Sequence, residues 1–130
     1  MNKLLKSCVV IFVKELERLV RFYGETCGMT RVHGDESHVV LDAGGLEVVI
    51  HAISPHVAAM IEISDPPEIR EENPIKICFP VSSIEAARAT AEALGGRIGP
   101  REKEWAGPGY RACDGYDPEG NVFQVREATG

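Results

Sequence analysis

Two stretches of this chain repeat each other in register, and that repeat limits the folds open to it more than any other feature. Val13-Lys14-Glu15-Leu16-Glu17 lies over Val81-Ser82-Ser83-Ile84-Glu85 at an offset of 68 residues, and the same offset carries Gly28 onto Gly96. Later in each half, Gly45 lies over Gly120 at an offset of 75. The seven additional residues fall in the Pro100 to Gly109 region, so the second half has a longer loop where the first has a tight one. A chain of 130 residues fits one domain, or two half-size modules folded as a unit.

The hydrophobic pattern gives both halves the same element order. Ser7 to Val13 is β-branched and bounded by charge, as a strand is; Glu15 to Thr26 changes period, with Leu16, Leu19, Val20 and Tyr23 on one stripe of a helix and Gly28 as its stop. Met29 to His33, His38 to Asp42 and Glu47 to Ile53 follow as strands, separated by Gly34-Asp35 and Gly44-Gly45 turns. Ser54 to Asn73, with Pro55, Pro66, Pro67 and a run of acids, reads as a connector holding one helical turn at His56 to Met60. The order then restarts. Ile75 to Val81 predicts a strand, Ser82 with Glu85 a capping box, and Ile84, Ala87, Ala91 and Leu94 a helix stripe ended by Gly95-Gly96. Arg97 to Gly99, Tyr110 to Asp114 and Val122 to Arg126 predict three more strands, and Arg101 to Gly109 a loop carrying Trp105. The expected fold class is α+β: two tandem βαβββ modules, residues 5–53 and 74–127 about a connector at 54–73, closing into a cup-shaped mixed sheet.

Composition excludes several classes. The charge count is 20 acidic against 14 basic residues, a net of -6, and the basic residues are scattered, so nucleic acid is not an expected partner. No stretch reaches the ~20 apolar residues that span a bilayer. Met1 to Val13 has lysines before an apolar run, but the run meets Lys14 and Glu15 without a small-residue cleavage site and reads as a first strand. Cys8, Cys27, Cys78 and Cys113 are spaced too widely for a zinc knuckle or redox pair and are expected as reduced thiols. A soluble, cytoplasmic domain is expected.

Val9 to Tyr23, with a Phe22-Tyr23 pair closing its helix before a Gly, and the turn Asp117-Pro118-Glu119-Gly120-Asn121 leading into Val122-Phe123-Gln124-Val125 together resemble the two ends of the vicinal oxygen chelate superfamily: glyoxalase I, bleomycin-resistance proteins and extradiol dioxygenases. With the repeat, the resemblance covers nearly the whole chain. It implies a cup in which the superfamily's enzymes hold a divalent metal by one residue from the first and one from the fourth strand of each module. Carried over by the two offsets, those positions are Cys8, Val49, Lys76 and Gln124. Val49 has no donor atom, Lys76 brings a cation, and Gln124 is a neutral, weak donor. Glu47 and His51 share a strand face with Val49, so a register shift of two puts either in its place, and Cys8, Glu47 and His51 form a zinc alternative drawn from one module.

The resulting expectation is a protein with no metal or other cofactor that holds a small organic molecule in the cup, as a homodimer. The wall is Val10, Phe12, Val49 and Trp105, with Lys76, Gln124 and His51 as polar contacts. Lys76 and Arg126 favour some negative charge on the ligand, which Glu47 opposes. Trp105 is expected on a lid loop. Catalytic residues are not assigned. The alternatives are an enzyme of the same superfamily, a metal-dependent lyase or dioxygenase with non-standard ligands or a metal-free catalyst using Lys76 or Cys8, and an interaction domain with a filled cup. Lys76 as a solvated strand end and His51 as a hydrogen-bonded strand histidine stand beside the binding roles. His33 and His38 are expected to be exposed beside a turn.

Overall fold

The computed structural model describes residues 5–130, so the start of the Met1 to Val13 stretch lies outside the described residues. The first half runs β1 (Cys8–Val13), α1 (Leu16–Thr26), β2 (Thr30–Gly34), β3 (His38–Asp42) and β4 (Glu47–Ala52). A short helix α2 (Pro55–Ala58) follows, capped by Ser54, whose side chain accepts from the Val57 N–H. The second half runs β5 (Ile77–Pro80), α3 (Ile84–Ala93), β6 (Arg97–Ile98), a 3-10 turn (Arg101–Lys103), β7 (Trp105–Gly107), β8 (Tyr110–Tyr116) and β9 (Val122–Ala128). No helix among the described residues is long and apolar enough to cross a membrane.

The strands form two sheets of matching topology, ordered β1-β4-β3-β2 and β5-β9-β8-β6, with β7 added on β8. In each sheet the strand before the helix pairs in parallel with the last strand of its half. The pairing register itself repeats: Val10 is the Cα partner of Val49, and Cys78 of Gln124, the pair reached by adding 68 and 75. Side-chain alternation then gives each sheet one apolar and one open face. Val9, Ile11, Val13, Val39, Leu41, Val48 and Ile50 form the apolar face of the first sheet and belong to the core with Leu19 and Val20 of α1. In the second sheet Phe79, Phe123, Val125, Cys113 and Ile98 do the same with Ile84, Ala87 and Ala91 of α3.

The halves are joined by the motifs at the two ends of the chain. Phe22 and Tyr23 reach from α1 into the second half, with Tyr23 5.9 Å from the Phe79 ring and 5.8 Å from Phe123 in tilted edge contacts. Gly96 makes room for this, because a Cβ there would strike the Phe22 ring. The Tyr23 hydroxyl donates to the buried Asp117 carboxylate at 2.6 Å. The equally buried Glu119 accepts from the backbone N–H of Lys14 at 2.8 and 2.9 Å and of Glu15 at 2.8 Å, capping the start of α1 across the module boundary. The connector closes over this turn through Arg70 N–H to the Gly120 carbonyl. A side chain at Gly120 would strike the Glu68 carbonyl, and its φ of +85° also suits glycine.

Three local expectations need correction. The cap of α3 is Ser83, not Ser82: its hydroxyl accepts from Ala86 N–H at 3.1 Å, while Glu127 rather than Glu85 receives the Ile84 N–H at 2.7 Å. The turn expected at His56 to Met60 is the α2 helix, which starts one residue earlier, where Pro55 suits the first helical position. Trp105 lies on a strand rather than a loop, since β7 pairs with β8 (Trp105 with Ala112, Gly107 with Tyr110) about a Pro108-Gly109 turn. Gly107 leaves room there for the Tyr110 ring, which a Cβ would displace, so residues that read as loop punctuation serve a tight hairpin.

Candidate functional site

The register sorts the expected site residues into two sets. On the first sheet, Cys8, Val10 and Phe12 of β1 stand beside Glu47, Val49 and His51 of β4, in that order, all on the open face. On the second, Gln124 and Arg126 of β9 share the open face with Lys76 just before β5 and with Trp105 of β7. Among the described residues no hydrogen bond or ion pair links one set to the other. Where the sheets adjoin, Val10 and Phe12 of β1 face Ile75 and Ile77 beside and on β5 across a cavity of about 200 Å³, floored by Tyr23, Phe79 and Phe123.

The second set is a connected polar network. Lys76 Nζ donates to Asp114 Oδ2 at 2.9 Å, and Gln124 Nε2 to Asp114 Oδ1 at 3.0 Å. Gln124 Oε1 accepts from Arg126 Nε at 2.8 Å and from the Cys78 thiol at 3.4 Å. The Arg126 guanidinium lies 4.3 Å above the Tyr110 ring, whose edge contact with Trp105 is 5.9 Å between centroids. Partial burial alone would raise the Asp114 carboxyl, but the hydrogen bonds from Gln124 and Lys76 outweigh it and hold it below the ordinary carboxylate range. With two cations against one carboxylate, this face carries a net positive charge. Asp114 and Tyr110 were missed in the sequence, although alternation along Tyr110, Ala112 and Asp114 puts them on the face of Gln124.

On the first sheet, His51 Nδ1 donates to the Ala52 carbonyl at 2.7 Å, and its ring lies 5.5 Å from Phe12 and 5.9 Å from His38. His38, expected to be exposed, is half-buried and is the direct Cα partner of His51. Counting back from the Gly44-Gly45 turn reaches this pairing from sequence alone. His33 is exposed, as expected.

Trp105 is held rather than free. Its neighbour Glu104 bonds Arg111 at 3.2 Å and also Arg88 on α3, with Arg88 Nε donating to the Gly99 carbonyl. The hydrogen bond from Arg88 is the main reason the Glu104 carboxyl sits below its ordinary range. Trp105 therefore sits on a strand paired along one edge with β8 and anchored at its start by Glu104, rather than on a free loop. Of the thiols, Cys8 is exposed and Cys78 half-buried, while burial raises Cys113 and pushes Cys27 up to about 12.

These residues suit no divalent metal. Among the described residues no group of three or more His, Cys, Asp and Glu side chains is placed to hold one. Of the four positions implied by resemblance, Val49 offers no donor, the Lys76 ammonium repels a cation, and the Gln124 oxygen is already taken by Arg126. The one-module alternative fails separately, because the register puts Cys8 and His51 at opposite ends of the β1–β4 ladder.

The Glyoxalase-like domain family model matches residues 8–126. The chain belongs to that family. Among solved structures, a glyoxalase/bleomycin resistance protein/dioxygenase family enzyme from Burkholderia phytofirmans is 21% identical with a TM-score of 0.67, over 95% of this chain and 98% of that one. The fosfomycin resistance protein FosX from Mesorhizobium loti is 17% identical with a TM-score of 0.64, over 99% and 95%. A point mutant of FosX from Listeria monocytogenes, complexed with Mn(II) and 1S,2S-dihydroxypropylphosphonic acid, is 18% identical with a TM-score of 0.65, over 99% and 93%. No curated protein matches the chain. At these identities the structures share the fold of the Glyoxalase-like chain, and the vicinal oxygen chelate architecture expected from the repeat is the one it has.

Proposed function

We propose that this Glyoxalase-like protein binds a small organic anion in the cup formed by its two open sheet faces, without a metal. The observation that carries the reading is the Lys76–Asp114–Gln124–Arg126 network, which sets two cations and an amide at and beside positions where the resemblance places metal ligands. A metal binds anions by its charge; here Lys76 and Arg126 supply that charge directly, and an Arg guanidinium presents paired donors to a carboxylate or phosphonate. The phosphonate in the Listeria FosX complex has the same charge class, which supports screening phosphonates beside carboxylates. Phe12, Val10 and Val49 on the open face of the first sheet are assigned as the apolar wall.

Binding is tested by calorimetry of the protein in chelator against a panel of aromatic and aliphatic carboxylates and phosphonates, with Trp105 fluorescence as a second readout. The expected result is saturable binding that Lys76→Met and Arg126→Met each weaken about ten-fold, the size of a charge-assisted hydrogen bond. Binding unaffected by both substitutions contradicts the reading.

A further inference from the structure

A cavity of about 260 Å³ lies on the open face of the second sheet, at the end away from Trp105. Its floor is set by register. Tyr116 of β8 is the Cα partner of Val122 on β9 and of Arg97 on β6, so the three residues stand in one row across the sheet. Ile98, Cys113, Phe123 and Val125 alternate with this face and lie in the core, which turns Arg97, Asp114, Tyr116 and Val122 outwards. Gly99, which follows β6 and also lines the cavity, adds no side chain to fill it.

The connector supplies a second wall. Arg70 N–H donates to the Gly120 carbonyl at 2.9 Å and Arg70 Nε to the Glu119 carbonyl at 3.4 Å, which pins this segment to the turn before β9. Ile69 and Glu71, on either side of Arg70, then line the cavity beside the sheet, and Ile69 is left 40% exposed. The charges at and beside the cavity cancel, Arg97 and Lys76 against Glu71 and Asp114. An ion is offered no net attraction there, whereas Ile69, Val122 and the Tyr116 ring offer apolar surface. Asp114 joins the cavity to the anion network, because it lines the one while Lys76 and Gln124 bond its carboxylate in the other. Along β9, Gln124 is two residues from Val122, about 7 Å. A ligand held by its acid group at Lys76 and Arg126 therefore has the cavity within reach of the rest of its carbon skeleton.

We propose that this cavity, walled by Ile69 of the connector and by Tyr116 and Val122 of the second sheet, seats the aliphatic tail of the bound acid. The inference rests on the anion-binding reading and deepens it by naming the ligand class: a monoacid on a short aliphatic chain. Each methylene moved from water into the cavity raises affinity about four-fold, and carbons beyond its length add nothing. A second carboxylate at the far end of the chain would lose its water without a net counter-charge, so a diacid of the same length binds less well. Ile69 and Val122 then set the chain length accepted, while Lys76 and Arg126 hold the acid.

The test titrates butanoate, hexanoate, octanoate and decanoate, with octanedioate and 1-octanol beside them, into the wild-type chain and into Ile69→Ser and Val122→Phe variants. Calorimetry and backbone NMR shifts are the readouts. The expected result is affinity that rises about four-fold per methylene and then levels once the cavity is full, with shifts at Ile69, Tyr116 and Val122 that grow with the chain. Octanedioate binds more weakly than octanoate. Ile69→Ser lowers the gain per methylene, and Val122→Phe, which takes up the space, ends it at a shorter chain. Affinity independent of chain length, a gain that survives both substitutions, or octanedioate binding tighter than octanoate overturns the tail site. Lys76→Met separates the two ideas, since it lowers all four monoacids by the same factor and keeps the gain per methylene if both hold. Shifts at the cavity with 1-octanol while no acid binds overturn the acid class and the anion reading with it. Absence of binding by every compound overturns the tail site and leaves the anion reading to the wider acid panel.

Discussion

Glu119 is the residue whose removal should cost this fold most for its size. Its carboxylate is 3% exposed and takes up two backbone N–H groups, Lys14 through both oxygens and Glu15 through one. Those donors open α1, whose own boundary residue Glu15 makes no side-chain cap. Replacing Glu119 by alanine removes two charge-assisted bonds at about 1.5–2 kcal/mol each and leaves the donors without an acceptor, for a total of about 3–4 kcal/mol. The N-terminal end of a helix also favours negative charge, which alanine forfeits. Glu119→Gln keeps the shape and one acceptor oxygen and should cost about half as much. Domains of this size have roughly 6–15 kcal/mol to lose, so the alanine variant should still fold, with a melting temperature lower by about 10 °C. Urea denaturation with an unchanged m-value is the assay. An alanine variant within about 1 kcal/mol of wild type, or a glutamine variant as damaged as alanine, would refute a capping role.

Three further outcomes follow from the same geometry. Tyr23→Phe removes the 2.6 Å donor to Asp117 and should cost about 2 kcal/mol at neutral pH. Burial already raises the Asp117 carboxyl, so its contribution is fully present below the unfolded value and is lost as pH rises through the folded one; the variant's deficit should therefore shrink in acid melts. Glu104 has the opposite sign, its carboxyl being lowered by Arg88: its contribution is present above the unfolded value and lost as pH falls through the folded one, so Glu104→Gln should flatten the acid limb of the stability profile. Finally, Val32, Val57 and Met60, none of them on the cup wall, are 50, 40 and 68% exposed, which argues that a second copy covers apolar surface here; light scattering should give a dimer at micromolar concentration, and a monomer contradicts this.

The architecture was legible because it was written twice. Offsets of 68 and 75, found from a few glycines and two helix starts, reproduce the strand register to the residue, Val10 with Val49 and Cys78 with Gln124. What the sequence hid depends on three-dimensional partners. The Asp117-Pro118-Glu119-Gly120-Asn121 turn is a signature of the last strand, but nothing local says that Glu119 caps a helix 104 residues away. The Gly107-Pro108-Gly109 run reads as a loop, because only the Tyr110 ring lying over Gly107 reveals a hairpin. Asp114 was passed over because a lone acid on a strand carries no signal until Lys76 and Gln124 are seen to bond it. His38 was recoverable, since its pairing with His51 follows from the two-residue turn, yet its position beside another turn made it look peripheral.

The central claim is that Lys76 and Arg126, at and beside positions where the resemblance places metal ligands, themselves supply the charge that holds the anion. The direct measurement is the affinity of the best acid found in the panel, taken once in chelator and once with Mn(II), Ni(II) or Zn(II) in excess, together with elemental analysis of protein purified without a histidine tag. The account predicts no stoichiometric metal and the same dissociation constant in both buffers. Metal at one equivalent per chain, with acid binding that disappears on chelation, contradicts it; a metal bound at 100 times its dissociation constant would also announce itself as about 2.7 kcal/mol of added stability.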